Sequence, residues 1–364
     1  MSDSISGSSN VVKPVATVSR QLETLRSHKV SFERCDEEEA ARYLTDNTYF
    51  FKLKAFDKKF ERNEAGEYAS LDFAYLQDIA TVDFHIRRLV SELTSDIEHA
   101  LKIRFNVLLM RRTSEDGYAV VRDYERHETE YRRSRYPGEE PSEHDIFQSF
   151  KSNAYTQAII EKYGDNPPAW LIWEVCPLNE TISFYRYFLH RIGYKDTVFA
   201  LLDGVRILRN AAAHNNCLLT APAYTVNRTD ALQDCLTELL DDELFDEQRE
   251  MILELSQCDP LVHDFACVIC CHINLVKSRG ISSRARGSAL TFMKRAHRNM
   301  EWYRSALSGC AYLCKQLDAI CTLLMAFRKY SPERESGDTL SAAPQNYSQR
   351  RYRHRHMIHN ARRH

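Results

Sequence analysis

From Leu71 to Met110 the chain repeats apolar residues at the spacing of a helix. Leu76, Ile79, Ile86, Val90, Leu93, Ile97, Leu101 and Phe105 follow one another at three or four positions, or at seven where Asp83 intervenes. At about 100° per residue these positions fall on one side of a cylinder, so one face buries continuously for roughly eight turns. A helix that long with a single apolar stripe needs other helices against it, and the expected architecture is a helical bundle. The polar residues of the stretch, including His85, Arg87, Arg88 and Glu98, are expected mostly on its solvated side.

The rest of the chain agrees with an all-α fold. Its 364 residues contain only 11 Gly and 10 Pro, too few for the tight turns of a strand-rich protein, and little in it insists on a strand. Further helices are expected at Glu37 to Leu44, Ile182 to Ile192, Asp196 to Asn215, Leu232 to Ser256 and Pro260 to Val276. A last one runs from Leu290 to Tyr330, with a break near Ser308-Gly309. The aromatic cluster Tyr49 to Phe56 must pack on something. The dense mixed charge of Arg111 to Asp145 reads as a mobile, partly helical insertion, and Arg279 to Gly287 as a Ser/Arg/Gly linker. The resulting layout is a disordered start (1–18), a helical domain (19–230) carrying the insertion, an additional C-terminal helical module (231–330), and a linker with a basic tail (331–364). No apolar run reaches membrane-spanning length, and Met1 to Asn10 lacks the pattern of a signal peptide.

A formal net charge of −2 gives no global signature of a nucleic-acid binder, so attention turns to local excess. Arg350 to His364 holds six Arg, four His and no acid; Arg351 and Arg353 there suit phosphate contacts, and a plain solubilising end is the alternative. Arg132, Arg133 and Arg135 alternate with Tyr131 and Tyr136 as in single-strand RNA binders, although acids stand close by. The 11 cysteines are odd in number and lack framework spacing, which argues for reduced thiols and a cytoplasmic protein. Cys267, Cys270, Cys271 and His272 resemble half of a zinc site, but no second pair follows at the usual distance, and a metal is not expected.

The segment with most chemistry is Leu208 to Asn215. On its helix Leu201, Val205, Leu208 and Ala212 form an apolar stripe, while Arg206, Asn210 and His214 form a second one at steps of four. Asn210 is within reach of the His214 ring. Arg209 and His214 are five apart, roughly 140° around a straight helix, so they converge only at a helix end or opposite a second copy. Asn215-Asn216 reads as that end. A guanidinium steadies a phosphate as it gains charge, and an imidazole moves protons near neutrality, so the set suits RNA cleavage without a metal. The same residues also suit an ordinary helix end, where Arg and His satisfy carbonyls and neighbouring acids.

At Arg209-Asn210 followed by His214 the chain resembles the HEPN superfamily, and more closely the bacterial Abi-like (abortive infection) family. The likeness is carried by Tyr49 to Leu53, by Ile86-Arg87-Arg88 and Ile97 to Leu101, by Pro168 to Glu174, and by Leu208 to Asn216, over about residues 35 to 220. Asn215 to Leu219 lack the basic residue that often follows the His in that family. The resemblance implies a HEPN helical bundle in anti-phage defence, with a metal- and cofactor-independent endoribonuclease site composed from two copies. Arg209, Asn210 and His214 would be its catalytic residues, Arg206 and Asn215 would hold RNA beside them, and a 2′,3′-cyclic phosphate would be the product. The alternative it leaves open is a non-catalytic HEPN protein that holds a small structured RNA or a partner toxin; a small non-coding RNA or an antitoxin is a further candidate partner of the chain.

Overall fold

The computed structural model describes residues 16–48, 50–112, 114–136, 145–220, 226–304 and 310–330. The fold is all-α. In chain order the helices are α1 (Val18–Ser27), α2 (Glu37–Asp46), α3 (Phe50–Phe56), α4 (Phe73–Met110), α5 (Ala119–Arg135), α6 (Gln157–Tyr163), α7 (Ala169–Val175) and α8 (Leu178–Arg191). They continue as α9 (Leu202–Ala213), α10 (Asp230–Leu239), α11 (Asp246–Cys258), α12 (Pro260–Leu275), α13 (Arg279–His297), α14 (Met300–Arg304) and α15 (Ala311–Lys329). Two isolated bridges, Ser31 with Asp72 and Arg62 with Tyr68, are the extended pairing among the described residues.

The chain forms two compact units, Met1–Phe84 with Ala296–Lys315, and His85–Arg295 with Gln316–His364. In the first, Asp72 starts α4: its Oδ1 accepts the Ala74 N–H (2.9 Å), and its Oδ2 accepts from the Ser31 hydroxyl (2.7 Å) and the Glu33 N–H (2.9 Å). Such a cap satisfies donors that a helix start leaves open. The aromatic cluster is split by its own helix, with Leu53 and Phe56 of α3 buried and Phe51 exposed.

In the second unit α12 is the core helix, buried along nearly its whole length. A helix apolar on nearly every side suits a bundle centre, and His263, Asp264 and His272 are the polar residues buried with it. Asp259 caps it, accepting the Val262 N–H at 2.9 Å, and Pro260 stands at the first turn where its missing N–H costs nothing. Cys267, Cys270 and Cys271 lie inside it as small core residues, their thiols pushed up by burial. Among the described residues no group of three or more His, Cys, Asp or Glu is placed to hold a metal ion. All 11 cysteines are free thiols, and no described helix is long and apolar enough to cross a membrane.

Several segments differ from their sequence reading. Residues 279–287 are not a linker but the start of α13, whose Ala285, Ala289 and Phe292 form a buried stripe at helical spacing. The charged stretch is partly helical as expected, its helix α5 being anchored through buried Val120, Val121 and Tyr124; the Tyr124 hydroxyl donates to Glu180 of α8 at 2.8 Å. Residues 137–144 lie outside the described part. The helix expected over 232–256 is interrupted after Leu239 by a capped turn, where Asp242 accepts the Leu244 N–H at 2.9 Å. The final helix is split between α13, α14 and α15, and the break foreseen at Ser308-Gly309 lies outside the described residues. Arg87 is buried rather than solvated, at 6% exposure, while Arg88 is exposed.

Candidate functional site

The segment from Leu208 to Asn215 lies on α9 and its end. Upstream, Thr197–Leu201 is a single 3-10 stretch begun by Asp196, whose Oδ1 accepts the Val198 N–H at 3.1 Å. The same carboxylate receives Arg104 of α4 through two bonds (2.6 and 2.9 Å) and the Tyr185 hydroxyl of α8 (2.7 Å). Burial opposes the Arg104 charge, but Asp196 outweighs it and raises the guanidinium pKa. Three elements thus converge on one carboxylate and fix where the motif helix begins.

Along α9, Leu202, Val205, Leu208 and Ala212 are buried, with the helix lying close against α12. Gly204 sets how close. A Cβ there would stand 2.9 Å from both Cβ and Sγ of Cys267 and 3.1 Å from Asp264 Oδ1, so only glycine fits without displacement. With one side committed to the core, the opposite side is left to water. Arg206, Arg209, Asn210 and Ala211 are half-buried there, and Ala213, His214, Asn215 and Asn216 are exposed.

The helix ends as Asn215-Asn216 suggests. His214 is the C-cap, and Asn215 takes the left-handed conformation with φ of 55°. The Asn216 N–H returns to the Ala211 carbonyl (2.9 Å) and the Asn215 N–H to the Ala212 carbonyl (3.1 Å), the paired bonds of a Schellman motif. Arg87, reaching from α4, donates from Nη1 to the Asn216 carbonyl at 3.3 Å. The turn that presents His214 is therefore held from both sides.

Among the expected site residues, Arg209 and Asn210 come together, with Arg209 Nη1 donating to Asn210 Oδ1 at 3.1 Å. Asn210 is thus engaged by Arg209 rather than by the His214 ring. No hydrogen bond joins the His214 side chain to another described residue. Arg206 lies near Asp203, one turn back, at 3.4 Å. Arg132, Arg133 and Arg135 occupy the exposed last turn of α5, where Arg135 Nη1 donates to the Tyr131 hydroxyl at 3.0 Å. Arg351 and Arg353 lie outside the described residues.

Two residues that position the motif are not among the expected site residues: Asp196 is expected only as the start of its helix, and Arg87 as a mostly solvated residue within the family-like stretch. Asp196 stood in plain view as a helix-start signal. For Arg87 the signal was its spacing from Asp83, an acid-base pair at four positions within an apolar run.

Residues 42–220 match the family model described as Abi-like protein. The match takes in the Tyr49 to Leu53 cluster, all of α4 and the whole of α9 with its terminal turn. No curated protein matches the chain significantly. No solved structure does either.

Proposed function

We propose, from the Abi-like match over residues 42–220 and the geometry at the end of α9, that the protein is a metal-independent endoribonuclease of HEPN type. It would act in the cytoplasm during abortive infection. His214 removes the proton from a 2′-hydroxyl, or returns one to the leaving 5′-oxygen. Arg209 balances the charge that builds on the phosphorane, and Asn210 orients Arg209 or a phosphate oxygen. The attacking 2′-oxygen forms a bond to phosphorus as the 5′-oxygen leaves, so the product ends in a 2′,3′-cyclic phosphate. Within one chain Arg209 and His214 diverge by roughly 140° around the helix. A second copy facing the first supplies the missing partner, with the small Ala211 and Ala213 allowing close approach.

The observation that carries this reading is the state of His214. Its ring is exposed, bonded to no described side chain, and displayed on a turn that backbone bonds and Arg87 hold in place. A proton carrier must be reachable and uncommitted, whereas a merely structural histidine spends its ring nitrogens on neighbours. The test is cleavage of cellular RNA by the purified full chain in excess chelator. His214→Ala should lose on the order of 10²-fold or more in rate while keeping the wild-type melting temperature. Equal rates for the two proteins would remove the proposal.

A second reading is favoured by two observations: Asn215 to Leu219 supply no cation beyond the motif, and Arg209 is already occupied with Asn210. On it, the chain holds a small structured RNA or a partner toxin without cutting. Intact co-purified RNA, retained equally by Arg209→Ala and His214→Ala, would select this reading over cleavage.

A further inference from the structure

Between Phe265 and Met300 the sequence has seven Lys and Arg and neither Asp nor Glu, in a chain where acids outnumber those bases by 51 to 49. The first part of this run is the body of α12, which after the buried Asp264 carries no Asp, Glu, Lys or Arg. The second part is α13, where burial explains only one face. Ala285, Ala289, Phe292 and Met293 face the core. Gly280, Ser283, Arg284, Gly287, Thr291 and Lys294 are all exposed. At about 100° per residue they occupy one sector, about a third of the circumference, over roughly 21 Å of helix. Arg279 flanks the stripe at its start.

Three features of this face go together. Arg279, Arg284 and Lys294 make no ion pair with any other described residue. The first turn carries no acid, so the positive end of the helix dipole adds to Arg279 instead of being cancelled. The two glycines, two turns apart, would meet nothing within 4 Å if each carried a Cβ. Internal packing therefore does not call for glycine at either place, although glycine weakens an exposed helix relative to alanine. What glycine leaves open is approach from outside to the backbone between the cations.

We propose that the outer face of α13 binds the phosphate backbone of a polynucleotide. Charge complementarity selects that occupant. The cations are spread along the helix rather than clustered, and small polar residues stand between them, as backbone contacts require. The stripe has no aromatic or aliphatic anchor, which a protein partner would need as the centre of an interface. Nor does it have the apolar face that an amphipathic helix sinks into a membrane. The surface lies outside residues 42–220 and does not depend on the ribonuclease reading.

The test uses the full chain carrying His214→Ala, so that no RNA is consumed. Fluorescence anisotropy follows binding of a labelled single-stranded RNA and of DNA of the same sequence, over a range of salt. R279Q/R284Q/K294Q should weaken binding by about 10-fold or more, and should lower the slope of log affinity against log salt by about 2. R279K/R284K, which keeps the charge, should bind like its parent. RNA preferred over DNA identifies the natural source, and equal binding identifies a general polynucleotide surface; both support the proposal. Binding by the triple Gln variant equal to that of its parent would overturn it. So would uptake by phosphatidylglycerol vesicles with neither nucleic acid bound. Cleavage by the wild-type chain is scored separately: its absence, with α13-dependent binding intact, removes the ribonuclease reading alone.

Discussion

Asn215 takes a φ of 55°, a conformation in which a Cβ crowds the following carbonyl and which asparagine tolerates better than other residues with side chains. That tolerance made the end of the motif helix readable in advance: an Asn pair after an alanine run has few better uses than a left-handed stop. Glycine at 215 should keep both the turn and the melting temperature. Valine should cost on the order of 1–2 kcal/mol and tilt the turn that carries His214. Thermal unfolding together with RNA cleavage checks this: Asn215→Gly should match wild type in melting temperature, and Asn215→Val should lose both stability and cleavage. A valine variant as stable and active as wild type would mean that the turn does not position the imidazole. Arg87 shows the opposite case. Asp83, one turn before it, is the single local hint; the rest of its burial depends on what packs over α4 and on a carbonyl 129 residues away.

At the scale of elements, legibility followed the visibility of a buried stripe. The Leu71 to Met110 pattern returned as α4 (Phe73–Met110), because periodicity sustained over roughly eight turns, with one skip at Asp83, leaves little choice of conformation. In residues 279–287 the same periodicity was present, but Gly, Ser and Arg on the outer face hid Ala285 and Ala289, small residues that barely register as apolar. In α5 dense charge hid Val120, Val121 and Tyr124 in the same way. The crossing of α9 over α12 was invisible, since Gly204 looks like any helical glycine until Cys267 is found against it. That contact makes a prediction. Gly204→Ala should destabilise by about 1–3 kcal/mol, the usual cost of overpacking, measured by urea unfolding. Adding Cys267→Ala should restore part of the loss, because it removes the Sγ but leaves the Cβ at 2.9 Å. Additive losses in the double variant would show that the two helices yield elsewhere.

For the whole molecule the decisive matter is whether one chain or two make the proposed site, and mixing inactive variants decides it. A protomer with Arg209→Ala keeps its imidazole, and one with His214→Ala keeps its guanidinium. If each chain held an independent site, every protomer in a mixture would lack one group, and no combination would cut. If two chains share one site across a two-fold axis, a mixed dimer keeps one Arg209 and one His214 around the same phosphodiester. Co-expression with two different tags, followed by sequential capture, isolates that mixed species. It should cleave RNA well above either variant alone yet below wild type, because half of the paired groups are gone. The gain should vanish when Gly204→Ala, placed in both chains, shifts α9 against its support. A mixed dimer as inactive as its parents, formed from variants that dimerise normally, would place the chemistry within a single chain or remove it altogether.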